Sequence, residues 1–114
     1  MNIVKLMEKT IDEIDFQKEN GLIPVIVQDI NTNEILTLAY ANKESLNLTQ
    51  NTGNSWFWSR SRKKLWMKGE ESGNTQKVKK ILVDCDLDAV IYLVEPSGPA
   101  CHTGQKNCFH NTLK

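Results

Sequence analysis

LIPVIVQDINTNEILTLAY, residues 22–40, is the stretch of sequence that decides the fold. It consists of two apolar runs, 22–30 and 35–40, separated by the polar segment Asn31-Thr32-Asn33-Glu34. Runs of this length that are rich in Val and Ile and bounded by turn-forming residues are typical of β-strands. The stretch therefore predicts a β-hairpin whose first strand is buried.

Helical signals lie on both sides of this hairpin. Apolar side chains recur at near-helical spacing over residues 3–17, at Ile3, Leu6, Met7, Ile11 and Ile14. Asn20-Gly21 is typical of the end of such a helix, because glycine readily adopts a left-handed backbone conformation. Asn42 is a candidate N-cap for a second, short helix over residues 43–50.

The remaining segments are mostly strand-like. Strands are predicted over residues 55–61, 65–68, 75–83 and 89–94, with glycine-bearing or polar breaks between them. We therefore expect residues 1–114 to form a single α+β domain. Its core should be a mainly antiparallel, barrel-like β-sheet of about seven strands, accompanied by about two helices.

The composition excludes some classes of protein. Lys plus Arg and Asp plus Glu number 14 each, so the formal net charge is zero, whereas a general nucleic-acid binder usually carries a basic surplus. Zero net charge also favours self-association. No apolar run is long enough for a signal peptide or a membrane helix, so we expect a cytoplasmic protein. In a reducing compartment its three cysteines should act as ligands or nucleophiles and not as disulfides.

The three cysteines have polar neighbours and a spacing that excludes small structural zinc modules. Fifteen residues separate Cys85 from Cys101, and six separate Cys101 from Cys108. Three thiolates would leave one position of a tetrahedral zinc ion open, as in catalytic sites. His102 or His110 could fill that position and make the site structural. Spacing alone therefore leaves open a catalytic zinc, a structural zinc and incidental thiols.

Aspartates alternate around the first cysteine, at Asp84, Asp86 and Asp88. On a strand, this period places the three carboxylates on one face and Cys85 on the other. Such crowded carboxylates are a natural site for a hard cation such as Mg²⁺, although an aspartate-rich strand end in water would have the same sequence. A calcium-binding loop is excluded, because Ala89 stands where that loop requires glycine.

Opposite strand faces would have a consequence for the cysteines. If Cys85 and the aspartates point in opposite directions, the side chains of one chain cannot easily form a single compact site. Two chains can do so, each lending its Cys85 to the Cys101 and Cys108 of its partner. We therefore hypothesise a zinc site that is shared between the subunits of a homodimer.

An aromatic and basic segment, residues 55–68, holds all three tryptophans and five of the fourteen cationic residues. Aromatic faces beside cations suit a ligand that carries a base and phosphates, through stacking and charge. The same features would suit single-stranded RNA, so a zinc-stabilised RNA-binding module is the alternative. Some of these aromatic side chains are also expected to pack simply into the core.

Several short motifs follow one another in an order typical of one enzyme family. They are Ser59-Arg60-Ser61-Arg62 with Leu65-Trp66, Lys68-Gly69-Glu70 with Ser72-Gly73-Asn74, Asp84-Cys85-Asp86 with Asp88, and Ala100-Cys101-His102-Thr103-Gly104 with Cys108-Phe109. From about residue 22 to residue 109 the chain resembles the phosphoribosyl-AMP cyclohydrolases of histidine biosynthesis. The chain departs from the usual family pattern at Asn107, Thr37 and Ala41 and in the tail 110–114.

This resemblance implies a metal-dependent hydrolase and an intertwined homodimer. It implies zinc, shared between subunits, on Cys85, Cys101 and Cys108, and magnesium on Asp84, Asp86 and Asp88. Many relatives carry a fused pyrophosphatase domain, which we expect to be absent here because the chain ends at Lys114.

The implied reaction is hydrolysis of the N1–C6 bond of the adenine ring in N1-(5-phosphoribosyl)-AMP, which gives the formimino carboxamide nucleotide. Zinc would supply an activated water. Because three thiolates acidify that water less than three imidazoles do, a nearby base is wanted, and His102 is the candidate. The expected substrate-binding residues are Arg60, Arg62, Lys63, Trp66 and Lys68.

Overall fold

A four-stranded mixed β-sheet forms the centre of the fold. The computed structural model describes residues 7–114. The elements are a 3₁₀ turn Ile11–Glu13, strand β1 Ile23–Asp29, β2 Ile35–Ala41, helix α1 Lys43–Thr52, β3 Trp56–Ser59, β4 Lys64–Met67, β5 Gln76–Val83 and β6 Val90–Pro96. The main sheet has the order β2-β1-β6-β5, and β3 and β4 form a separate two-stranded sheet.

The predicted hairpin is confirmed, and its first strand is the most deeply buried element. Strand β1 pairs antiparallel with β2, and Ile23, Val25 and Val27 are fully buried. The other edge of β1 pairs with β6 in parallel, with Val27 opposite Tyr92. Strand β1 is thus hydrogen-bonded along both edges.

The predicted α+β class is confirmed, but the prediction of a barrel-like sheet is wrong. Residues 7–114 contain six strands in two sheets, and β2 and β5 are the two edges of the main sheet. Three of the four strand pairings within residues 7–114 are antiparallel, as predicted, but the main sheet is mixed because β1 and β6 run in parallel. A parallel pair needs a long crossover, and here the crossover is the whole of residues 30–89. Nothing local in the sequence specifies such a distant pairing.

The helix predicted over residues 3–17 is wrong in its described part, and residues 3–6 lie outside the described residues. Only Ile11–Glu13 is helical, as one 3₁₀ turn. Since side chains at i and i+3 eclipse one another in a 3₁₀ turn, the apolar spacing of Ile11 and Ile14 is satisfied without an α-helix. Gly21, with φ +89°, closes a turn by donating its N–H to the Phe16 carbonyl at 2.7 Å.

The second predicted helix is confirmed and runs two residues further than expected. The Asn42 side chain accepts a hydrogen bond from Ser45 N at 2.8 Å, and Asn42 N donates to Ser45 Oγ at 2.9 Å. These reciprocal bonds satisfy amides that a helix N-terminus would otherwise leave unpaired. Gly53, with φ +76°, ends the helix in the left-handed conformation.

A buried hydroxyl joins the helix to both sheets. The Tyr92 hydroxyl donates to the Trp56 carbonyl at 3.1 Å and lies 3.2 Å from Thr49 Oγ1, which accepts from Trp56 N at 3.0 Å. The Tyr92 ring also lies 5.6 Å from that of Phe57. Burial raises the pKa of Tyr92 to about 12, although the Thr49 contact opposes this rise. The β3–β4 sheet is therefore fixed against β6.

Tyr92→Phe should destabilise the protein by about 1–2 kcal/mol at pH 7, because the Trp56 carbonyl loses its nearer buried donor and keeps only the Thr49 hydroxyl, whose Oγ1 lies 3.3 Å away. The measurement is urea unfolding followed by circular dichroism. Tyr40→Phe is the control, since no hydrogen bond involves the Tyr40 hydroxyl within residues 7–114, and it should change stability by less than about 0.5 kcal/mol.

The cost of Tyr92→Phe should shrink in alkali. The pKa of Tyr92 is about 12 in the folded protein and about 10 in the unfolded chain. The contribution of the buried Tyr92 hydroxyl to the free energy of unfolding is therefore complete below pH 10 and declines between pH 10 and 12. Unfolding at pH 7 and pH 11 measures the change. An equal cost at both values would contradict the burial of this hydroxyl.

Candidate active site

An open cleft of about 560 Å³ lies between strand β2 and the β3–β4 turn. It is lined by Leu38, Ala39, Tyr40, Trp58, Ser59, Arg60, Ser61, Arg62 and Trp66. The cleft combines aromatic rings with two guanidinium groups. Such a lining suits a ligand that has both a flat ring system and anionic groups.

The β3–β4 turn presents its arginines to this cleft. The turn is closed by Lys63 N, which donates to the Ser59 carbonyl at 2.8 Å, and by Arg62 N, which donates to Ser59 Oγ at 3.1 Å. The Arg60 guanidinium lies 3.8 Å from the centre of the Tyr40 ring, within the range of a cation–π contact. This contact ties the turn to β2.

Three of the five predicted substrate-binding residues line the cleft. They are Arg60, Arg62 and Trp66, whereas Lys63 and Lys68 do not line it. Lys68 is instead close enough to Cys108 for its charge to lower the pKa of that thiol. Two of the predicted residues therefore lie at the edges of the site.

Two of the three cysteines come together in a tight loop. Ala100 N donates to the Lys106 carbonyl at 3.1 Å and Cys101 N to the Gln105 carbonyl at 3.2 Å, which folds residues 100–106 back on themselves. Cys108 N donates to the Leu36 carbonyl at 2.7 Å and so attaches the end of the loop to β2. The thiols of Cys101 and Cys108 are thereby close enough for each to affect the pKa of the other.

The two thiols have opposite tendencies to ionise. The pKa of Cys101 is lowered, chiefly by the Thr103 hydroxyl, whose Oγ1 lies 3.1 Å from Cys101 Sγ. Burial raises the pKa of Cys108, although its contact with Thr37 opposes this. The pKa of one thiol is thus lowered beside another whose pKa is raised. Because metal ligands must be thiolates, this pair fits a soft dication that would hold both without protons.

Cys85 does not complete this pair within the described chain. Within residues 7–114, one group of three side chains of the metal-ligating types Asp, Glu, His and Cys has all its ligand atoms within 4.8 Å of one another. That group is Asp84, Asp86 and Asp88, and it contains no cysteine. Cys85 is exposed in the loop that carries these aspartates. A single chain therefore offers two adjacent thiols and not three.

The strands predicted over residues 75–83 and 89–94 are confirmed as β5 and β6, and the aspartates lie in the loop between them, so the alternation considered for a strand does not apply. Strand β5 ends at Val83, and Leu87, with φ +64°, turns the chain. Asp84 Oδ1 accepts hydrogen bonds from Asp88 N at 3.0 Å and Ala89 N at 3.1 Å, as in an aspartate-capped turn. A loop, and not strand alternation, brings the carboxylates together, so the argument from opposite strand faces loses its premise.

The three carboxylates carry more negative charge than their neighbours neutralise. Hydrogen bonding to Asp88 and then to Asp84 raises the pKa of Asp86, as expected when carboxylates share a proton. Lys18 lies 3.0 Å from Asp88 and 3.5 Å from Asp86, and its hydrogen bond lowers the pKa of Asp88. One ammonium for three carboxylates leaves a donor set that fits a hard cation.

One histidine lies in the loop of residues 100–108, which we call the cysteine loop, and the other lies just after it. His102 is exposed and makes no hydrogen bond within residues 7–114. His110 Nδ1 lies 2.9 Å from the Asn107 carbonyl oxygen, and the charge of His110 also lowers the pKa of Cys101. The His102 imidazole is thus open to solvent, one residue after Cys101.

Sequence analysis missed two residues of this site. Thr103 was part of a quoted motif, but a threonine two residues after a cysteine carries no specific signal by itself. Tyr40 lay in the predicted strand, where an aromatic residue is ordinary. Both gain their roles from contacts, with Cys101 and Arg60 respectively.

Together, the fold and the site define a class of protein. It is a small α+β domain with an aromatic and cationic cleft that suits a small anionic ligand, next to two cysteines in a loop that is hydrogen-bonded to β2. The sequence model of the family described as phosphoribosyl-AMP cyclohydrolase matches residues 37–110.

Comparison with individual proteins identifies the same family. The chain is 78% identical over 107 residues to a phosphoribosyl-AMP cyclohydrolase of Cenarchaeum symbiosum, covering 94% of this chain and 99% of that relative. It is 74% identical over 108 residues to the one of Nitrosopumilus maritimus, covering 95% and 100%. A histidine biosynthesis bifunctional protein of Thermus thermophilus is 61% identical over 95 residues, which cover 83% of this chain and 44% of that protein.

The chain belongs to the phosphoribosyl-AMP cyclohydrolase family, a family of enzymes. The resemblance found in its motifs is thereby confirmed. None of the helices within residues 7–114 has the length and apolar character needed to cross a membrane. Cytoplasmic localisation stays a prediction.

Thr103→Val should slow alkylation of Cys101 by iodoacetamide severalfold at neutral pH in metal-free protein. The Thr103 hydroxyl is the largest stabiliser of the Cys101 thiolate, and the thiolate is the nucleophile. Mass spectrometry of the peptide that contains Cys101 gives the rate separately from those of Cys85 and Cys108. Thr103→Ser, which keeps the hydroxyl, is the control and should react like the wild type; equal rates in all three proteins would refute the assignment.

Proposed function

We propose that this chain hydrolyses the N1–C6 bond of the adenine ring in N1-(5-phosphoribosyl)-AMP, as a step of histidine biosynthesis. The observation that carries the proposal is the hydrogen-bonded loop of residues 100–108, which brings Cys101 and Cys108 to strand β2 beside the cleft. Cys108 N donates a hydrogen bond to the carbonyl of Leu36 in strand β2. The cleft begins at Leu38, two residues and about 7 Å further along β2. Family membership supports the same activity.

The cleft would bind the nucleotide through complementary surfaces. The substrate carries two phosphate esters, and Arg60 and Arg62 can contact such groups in a bidentate manner. Trp66 offers a ring face for the base. Lys63 and Lys68, at the edges of the site, would add positive charge without lining the cleft.

Zinc would be held by Cys101 and Cys108 of one subunit together with Cys85 of the partner subunit. The support is that residues 7–114 of one chain assemble only two of the three thiols. Bound zinc supplies a water acidic enough to act as a nucleophile near neutral pH. Thr103 would hold the Cys101 thiolate ready through its hydroxyl.

A homodimer is consistent with the apolar surface next to the cysteine loop. Ile35 and Phe109, which flank the hydrogen bond between Leu36 and Cys108, are 41% and 59% exposed, and neighbouring exposed apolar side chains suit a surface for association. Strand β2 also has an unpaired edge, which is a ready surface for association. Burying these groups against a second copy would bring another chain close to Cys101 and Cys108.

Magnesium would be held by Asp84, Asp86 and Asp88. Its arrival would offset the mutual repulsion of the carboxylates and weaken the ion pairs of Lys18 with Asp86 and Asp88. A hard cation on this loop would also fix the conformation of the neighbouring Cys85. We assign it no part in the chemistry beyond this ordering and contact with the anionic substrate.

His102 would act as the general base. It follows Cys101 directly, and its exposed imidazole can take a proton from the attacking water at whichever ring nitrogen faces that water. The His102 imidazole could then pass this proton to N1 of the adenine ring, which leaves C6, or to solvent. The exposure of His102 supports this exchange with solvent.

The activity itself is tested by incubating the full-length protein with phosphoribosyl-AMP and following ring opening by ultraviolet absorbance. Turnover should be lost on incubation with a zinc chelator and restored by Zn²⁺. Cys101→Ser should lose zinc and turnover together. A zinc-loaded protein that does not open the ring would contradict the proposal.

His102→Ala should lower kcat by about 100-fold or more and remove the acidic limb of the pH–rate profile, as expected for loss of a general base. Zinc content, measured in parallel, should be unchanged. His110→Ala, which removes the other histidine of the chain, is the control and should retain that limb. A His102→Ala enzyme with a normal profile would exclude His102 as the base.

A further inference from the structure

A buried carboxylate lies under the β1–β2 turn. Asp29, at the end of β1, is only 5% exposed, and its Oδ1 accepts from Asn31 N at 2.9 Å and Thr32 N at 3.3 Å. Burial alone would raise the pKa of Asp29, but these backbone amides and the charge of Lys106 outweigh it, and the pKa is lowered. The turn is thus closed by Asp29 itself.

The next carboxylate of the turn, Glu34, reaches a different part of the chain. Lys106 Nζ lies 3.0 Å from Glu34 Oε1 and 3.7 Å from Asp29 Oδ2. Asn107 Nδ2 donates to Glu34 Oε2. We call Glu34, Lys106 and Asn107 the turn clamp. Within residues 7–114, the polar partners of the Glu34 carboxylate are these two residues of the cysteine loop.

The turn clamp acts on the segment that separates the two thiols. Lys106 and Asn107 lie between Cys101 and Cys108 in sequence, and the Lys106 carbonyl accepts from Ala100 N at 3.1 Å. Holding Lys106 therefore also holds the residue before Cys101. On the other side, Asn107 directly precedes Cys108. One carboxylate thus constrains both ends of the loop against the hairpin.

We propose that Glu34 is a positioning residue for metal binding by Cys101 and Cys108, a role that rests on the proposed zinc-dependent function. A loop already held in its bound conformation loses less conformational freedom when a metal binds, and the affinity is correspondingly higher. Groups that orient ligands from outside the coordination sphere are known to affect metal affinity in this way. Glu34 contacts neither thiol, so it acts through Lys106 and Asn107.

A purely structural role for Glu34 makes a different prediction. Asp29 closes the β1–β2 turn, and the Glu34 backbone bonds, including Asp29 N to the Glu34 carbonyl at 2.9 Å, do not need its side chain. Removing the Glu34 charge should therefore leave the hairpin folded. Its effect should fall on the cysteine loop and on the metal.

The test is the zinc affinity of Glu34→Gln, measured with full-length protein by competition against a chromophoric chelator. We expect the dissociation constant to rise about three- to tenfold, less than the 10- to 100-fold typical when a direct partner of a metal ligand is lost. Asp12→Asn is the matched control, because it removes the carboxylate charge of another exposed ion pair, Lys43–Asp12 at 3.1 Å. The control should bind zinc like the wild type.

A spectroscopic readout separates positioning from stability. With Co²⁺ in place of zinc, the thiolate-to-cobalt absorption band should shift or lose intensity in Glu34→Gln and in Lys106→Met, whereas Lys106→Arg should keep the wild-type spectrum. Lys106→Met also provides an independent test if Glu34→Gln does not fold.

Two failures would be distinguishable. Wild-type zinc affinity and an unchanged cobalt spectrum in Glu34→Gln and Lys106→Met would overturn this inference alone. A wild-type protein that binds no zinc, or binds it equally well after Cys101→Ser, would contradict the proposed function and this inference together.

Discussion

The two-sided pairing of strand β1 is the constraint on which the rest of the structure depends. Its antiparallel edge holds β2, which lines the cleft and bonds to Cys108, and its parallel edge holds β6, which leads into the cysteine loop. Fully buried Val25 and Val27 fix the register of both pairings, because a slip of one residue would turn them to the opposite face. Strand β1 therefore fixes the position of the cleft relative to the cysteine loop.

Sequence predicted those parts of the fold that are specified locally. The hairpin follows from two apolar runs around a polar turn, and α1 follows from Asn42 with Gly53 at its end. The parallel pairing of β1 with β6 has no local signal, since its partners are more than sixty residues apart. The barrel failed because strand pairing between distant segments has no local signal. The hypothesis of opposite strand faces around Cys85 failed because the aspartates lie in a loop, where Leu87 adopts a left-handed conformation.

The candidate site was predicted unevenly for a physical reason. Metal-ligating residue types such as cysteine are rare and chemically distinctive, so Cys101 and Cys108 could be predicted as site residues from the sequence alone. The structure places the two thiols close enough for each to affect the pKa of the other. Thr103 and Glu34 are common residues whose importance comes from what they touch. The family relationship fixes the enzyme class, while the sharing of Cys85, the metals and the general base are proposals that rest on chemistry.

The central claim is that a complete catalytic site needs two chains, and complementation tests it most directly. Cys85→Ser and Cys101→Ser proteins, each inactive alone, are unfolded together, refolded with Zn²⁺ and assayed. Random pairing makes half of the dimers mixed, each with one intact site, so activity should recover to about a quarter of that of refolded wild type. If no activity returns while the wild-type control refolds fully, the three cysteines do not form a site between subunits.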